Sequence, residues 1–157
     1  MMSIFLFALA AQAASDKLPP AQAVPPSFGA EQPVLATVQA VLNSFNRGDS
    51  AAMLRWVYPD GRVTATGIRA SSSGLRQESW GEFAQRIKPD AAFEETISDP
   101  AVEVDGDAAM VWAPFVVRIA GKGSNCGFDH FDLVRDKGVW KVMNLTFSSR
   151  IQGCPAE

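Results

Sequence analysis

The chain has 157 residues, 47% hydrophobic and 20% charged, enough for one globular domain with a sizeable core and too little for two. Seventeen acidic against fourteen basic residues give a net charge of -3 with no Lys/Arg cluster, which excludes the basic footprint of a nucleic-acid binder. One histidine and scattered acids make no metal-ligand set, and no glycine-rich turn leads from a strand into a helix, so no metal and no cofactor is expected.

Residues 1–13, MMSIFLFALAAQA, carry no charge, and their apolar run leads into Ala11-Gln12-Ala13, the small-x-small pattern of a secretory cleavage site. Cleavage is expected after Ala13. The run is shorter than the ~20 residues a bilayer-spanning helix needs, so the processed protein is expected to be secreted or periplasmic with no membrane span. Residues 14–33 hold five prolines and no sustained periodicity, the pattern of an extended linker. Cys126 and Cys154 are the only cysteines, and in an oxidising compartment they predict a disulfide.

The folded domain is expected over residues 34–152. Pro33 suits a first helical turn, and Val34, Leu35, Val38, Val41, Leu42 and Phe45 then recur on one helical face until Gly48. Asp49 caps a second, short helix holding Met53, Leu54, Trp56 and Val57, which Pro59 stops. Arg47-Gly48-Asp49 spells an adhesion tripeptide, but a glycine that ends one helix and an aspartate that begins the next account for it. GRVTATG (61–67) reads as a short strand and IRASSSGLRQE (68–78) as a flexible loop. Ser79 and Glu82 have capping-box spacing and open a third helix through Phe83 and Ile87, ending before Pro89. From Phe93 the period changes to two: strands are expected at 93–98 with 102–104, then 108–120, 126–135 and 139–149, separated by DGD, GKGSN and DKG. The order predicts an α+β fold, three N-terminal helices packed on a curved, mainly antiparallel sheet.

Residues 108–120 are apolar on both faces. Helices can cover one face, and a second copy of the chain is the economical cover for the other, which predicts a homodimer through the sheet. In GFDHFDLV (127–134) the alternation separates Asp129, Phe131 and Leu133 from Phe128, His130, Asp132 and Val134. The first set is the more apolar and is expected to face the helices. Asp129 then points into an apolar concavity, where desolvation would leave a neutral acid able to donate a hydrogen bond; pairing with an arginine or capping a backbone group is its ordinary alternative. His130 and Asp132 share the opposite face and form a base-and-orienter dyad only if a bulge turns that face inward. The sequon Asn144-Leu145-Thr146 falls mid-strand and reads as chance.

Helix, NRGDSAAML, YPDGRV, a capped helix, then DGDAAMVWAPFVV and FDHFDLVRDKGVWKVMNLTF resembles the nuclear transport factor 2-like superfamily, over roughly residues 34–150. That superfamily includes ketosteroid isomerase and SnoaL-like polyketide cyclases, and the resemblance implies a cone-shaped α+β domain. Asp129-His130-Phe131 matches the Asp-His-Phe tripeptide that carries the isomerase's protonated acid. Val41 stands where its tyrosine is expected and Ala65 where its general base is expected, so steroid isomerisation by that route is not implied. The expected function is an exported domain that binds a small hydrophobic molecule in an apolar pocket walled by Val41, Phe45, Tyr58, Trp112, Phe131, Met143 and Phe147, with Asp129 as polar contact. The alternative is a cofactor-independent lyase, isomerase or cyclase in which Asp129, or His130 with Asp132, moves protons. A partner-binding domain with a filled cavity is the third reading.

Overall fold

The computed structural model describes residues 29–67, 74–89 and 92–155, so the expected signal segment and most of the linker lie outside the described residues. Helix α1 (Glu31–Asn46) starts inside the stretch expected to be linker, with Pro33 in its first turn. It buries Val34, Val38, Val41, Leu42 and Phe45 on one face, each such side chain contributing up to about 2 kcal/mol. Gly48 takes φ +65° in the turn that follows, and a Cβ there would lie 2.3 Å from the Cα of Pro89. Only a bare backbone fits. Asp49 then accepts a 2.8 Å hydrogen bond from the Ala52 amide and opens α2 (Ser50–Trp56).

Strand β1 (Arg62–Gly67) pairs antiparallel with β2 (Leu75–Ser79). Leu75 to Glu78 had been expected in a flexible loop; instead they extend the sheet, because Thr64 and Thr66 offer a strand edge on which even a polar segment can pair. Ser79 and Glu82 form the expected capping box at α3 (Trp80–Ala84). That α-helix stops at Ala84, and single turns carry the chain on to Ile87. Helix α3 lies between β2 and β3 in the chain, so only α1 and α2 precede the sheet.

The remaining strands are β3 (Phe93–Ile97), β4 (Ala101–Asp105), β5 (Ala108–Ile119), β6 (Lys122–Asp136) and β7 (Val139–Ser149). The sheet runs β2-β1-β7-β6-β5-β3, with β4 also on β5. It is mixed, because β1 lies parallel to β7 while the other pairs are antiparallel. Strand β5 is long enough to carry two short partners in succession, β4 on its first half and β3 on its second. Pro114 sits where they change over; its carbonyl accepts from Ser98 at 3.1 Å, so its missing N–H faces the break and removes no ladder bond.

Two register shifts bend the sheet, at Val117/Arg118 against β6 and at Asp132/Leu133 against β7. The second inserts Met143 as the extra residue between Val142 and Asn144. Its carbonyl accepts the Trp80 indole N–H at 2.9 Å, and Gly61 passes so close that a Cβ would lie 1.6 Å from the same oxygen. Cys126 and Cys154 are joined by a disulfide with Cα atoms 5.6 Å apart. The backbones of Cys126 and Arg150 exchange bonds of 3.0 and 2.9 Å beside it, fixing the segment after β7 across the start of β6.

Candidate functional site

On β6 the inward positions are Asn125, Gly127, Asp129, Phe131 and Leu133, and all are buried. Phe131 and Leu133 close the core against α1. Toward the other end of the strand the helices no longer fill the concave face, and a cavity of about 330 Å³ opens. Its walls are apolar, chiefly Phe45, Phe83, Phe93, Phe115, Leu145 and Phe147. Gly127 leaves the face bare between Asn125 and Asp129, since a Cβ there would meet the Ser148 carbonyl at 2.0 Å and the Phe115 ring at 2.9 Å.

Two carboxyl groups meet in this cavity. Asp129 is 2% exposed, and its Oδ2 is buried with no hydrogen-bond partner among the described residues. Glu95 reaches it from β3 and hydrogen-bonds to it. Glu95 is half-buried and lines the cavity. Its position is set by Asn46, the last residue of α1, which accepts from the Glu95 amide at 2.7 Å and donates to its carbonyl at 3.0 Å. The end of the first helix therefore holds the strand that carries the second acid.

The cations of the cavity lining are Arg76 on β2 and Arg86 and Lys88 after α3. Glu78 pairs with Arg76 at 3.3 Å and with Arg86 through two nitrogens. The Arg86 guanidinium also lies 5.1 Å above the Phe83 ring.

Of the residues expected to wall the pocket, Phe45 and Phe147 line this cavity. The other expected wall residues lie elsewhere. Val41 and Phe131 are core residues without exposed surface. Tyr58 follows α2, its amide bonded to the Val142 carbonyl at 2.8 Å, and does not line the cavity. Trp112 pairs in register with His130 and so shares its face, outside the cone; it is 45% exposed and stacks on Phe128 at 5.2 Å. Met143 is displaced by its bulge, which reverses the alternation between Val142 and Leu145. His130 and Asp132 sit together on the outer face, Nε2 to Oδ1 at 3.5 Å, because the extra residue of the bulge lies on β7 and leaves β6 unflipped. Glu95 was not anticipated, although FEETI alternates: Phe93, Glu95 and Ile97 share the inner face.

Burial raises the Glu95 carboxyl from 4.5 to about 7, partly offset by its hydrogen bond to Asp129. Asp129 is held well above 3.8, first by burial, then by the charge of Glu95 and their shared hydrogen bond. Near neutrality the pair thus holds at least one proton that the unfolded chain would have released. The folded state binds more protons than the unfolded one from about pH 4 upward, so the pair's contribution to stability falls as pH rises from there up through the Glu95 value near 7. The melting temperature is expected to drop between pH 5 and pH 8, and Glu95→Gln should raise it at pH 8 by about 4 °C or more and flatten the slope. Calorimetry at both pH values checks this; a slope identical in the variant would mean that the carboxyls ionise as ordinary surface acids.

The profile of a family described as "Putative lumazine-binding" matches residues 30–148. No curated protein matches the chain. Among solved structures, an NTF2-like protein with a cystatin-like fold from Novosphingobium aromaticivorans is similar with TM-score 0.63 at 14% identity, over 79% of this chain and 83% of that one. An NTF2-like protein from Silicibacter pomeroyi reaches TM-score 0.57 at 22% identity over 74% and 92%. The association domain of C. elegans CaMKII reaches 0.60 at 16% over 75% and 94%. At such identities the likeness is one of fold. The matched profile shows that this chain belongs to the family described as putative lumazine-binding, and its fold is that of the NTF2-like structures.

Proposed function

We propose that the chain is an exported small-molecule-binding domain whose ligand enters the cone and hydrogen-bonds to Asp129, with no reaction assigned. The observation that carries this reading is the pair of carboxyl groups, Asp129 and Glu95, brought together in a cavity with apolar walls. Burying two carboxyl groups costs free energy that their single shared hydrogen bond offsets only in part, and a ligand hydrogen bond would offset more of it. The cavity, about 330 Å³, suits a molecule of two or three fused rings. A carboxylic acid beside a second carboxyl presents a donor next to an acceptor, complementary to the adjacent C=O and N–H of a lactam edge. A lumazine, the ligand class in the family's description, has such an edge.

Titration calorimetry with lumazine is expected to give saturable binding. Asp129→Leu should weaken it by about tenfold or more, whereas Asp129→Asn, which keeps a donor and an acceptor, should stay within a few-fold of the parent. A folded leucine variant that binds as the parent does would remove Asp129 from the site.

Glu95 favours a second reading, that of a cofactor-independent proton-transfer enzyme. A base poised near 7 and a protonated acid in one cavity are what enolisation of a carbon acid requires. With 2-tetralone in D2O as the probe, this reading expects deuterium at the α-carbon faster than buffer alone gives, and background exchange in Glu95→Gln. Exchange at the buffer rate with the parent protein leaves the binding reading alone.

The proposal includes a homodimer through the outer sheet face. Trp112, Phe128, Met110, Pro114 and Val116 share that face, and the chain is similar in fold to a C. elegans domain described as an association domain. Native mass spectrometry of exported protein should show two chains, each beginning at Ala14, and Trp112→Glu should yield single chains. A monomeric parent at micromolar concentration refutes the pairing.

A further inference from the structure

The rim of the cavity carries charge that neither the apolar walls nor the acid pair explains. Among the described residues Arg76, Arg86 and Lys88 all line it, and Glu78, which pairs with both arginines, does not. The chain as a whole is acidic, at -3, so three cations gathered at one opening run against its composition. A guanidinium has five N–H donors, and Glu78 occupies two of those on Arg86. Arg76 lies at ion-pair distance from Glu78, yet its buried Nε lacks a hydrogen bond of acceptable geometry among the described residues. Lys88 is exposed at the same opening. Among the described residues the acids of the lining are Glu95 and Asp129. Low-dielectric walls around such a rim focus its positive potential into the cavity.

We infer that the ligand of this cavity is an amphipathic anion, with an aromatic or apolar body, a hydrogen-bonding end at Asp129 and a negatively charged group held at the rim by Arg76, Arg86 and Lys88. This rests on the cavity being a ligand site. The two ends divide the recognition: the buried acid reads an uncharged polar edge, and the rim reads charge. An uncharged body of the same shape would fill the walls and make no use of the rim's charge. A dianion with no apolar body would gain the rim and forfeit the walls.

Two fluorescent dyes separate these terms. 8-Anilino-1-naphthalenesulfonate and N-phenyl-1-naphthylamine share the aromatic body and the N–H donor and differ by the sulfonate. The sulfonate dye is expected to bind at least about tenfold more tightly at low salt, with the advantage shrinking as salt is added. Arg86→Gln with Lys88→Gln should bring the two dyes to similar affinity without weakening the neutral one, and Asp129→Leu should weaken both. Equal affinities in the parent, or a sulfonate preference that survives the double substitution, would overturn the anionic ligand while leaving the cavity as a binding site. Failure of both dyes to bind would overturn the cavity reading together with this one.

Discussion

Everything at the open end of this cone is organised around placing two carboxyl groups together away from water. Isolated burial of one ionised carboxylate is prohibitive, and two side by side repel as well as lose hydration. The protein resolves this by holding protons: burial lifts Glu95 to about 7 and Asp129 well above its ordinary value, and the acids bond to one another. The arrangement is costly to the fold, since apolar residues of similar size in the same place would be more stable. Such a cost is the mark of a site, and the surrounding structure is built to maintain it. Asn46 clamps the β3 backbone on either side of its peptide groups, and Gly127 keeps the face next to Asp129 free of side-chain bulk.

The same constraint explains why the helices stop where they do. Helix α1 fills the narrow end with Val34 and Val38 and ends at Asn46, just where filling would obliterate the cavity. Phe45 is its last large apolar residue and is shared by core and cavity. Helix α3 is a single capped turn and a half, enough to bring Trp80 onto the Met143 carbonyl and Phe83 onto Phe45, and too short to close the opening. Core and cavity are thus one concave surface, packed at one end and left open at the other.

How much of this the sequence disclosed depends on whether a single strand or a pair of strands decides the outcome. Helix periodicity in α1, the Asp49 cap and the Ser79–Glu82 capping box are local, and the residues alone pointed to them. The inward direction of residue 129 is also local, because Phe131 and Leu133 outweigh Phe128 and Val134 within one strand. Trp112 is different. Both faces of β5 are apolar, so only its register against β6, with Trp112 opposite His130, decides which face is outside. Met143 fails for a related reason, since a bulge resets the alternation and nothing in VMNL marks its position. Glu95 is the instructive omission: its phase with Phe93 and Ile97 was present in FEETI, but that Glu95 and Asp129 meet depends on β3 and β6 flanking the same strand, a property of topology.

That distinction bears on what the outer face is for. Trp112, Phe128 and His130 form an aromatic cluster, with ring centroids 5.2 and 5.9 Å apart, on the side of the sheet away from the cavity. Residues alternating along β5 and β6 therefore serve two surfaces: Phe115 and Asp129 look into the cone while Trp112 and His130 look out of it. A ligand bound as proposed would touch Phe115 and Phe147, packed edge to face at 6.3 Å, and both belong to strands that also build the outer face. A ligand and a second chain bound as proposed would contact opposite sides of the same two-sided wall.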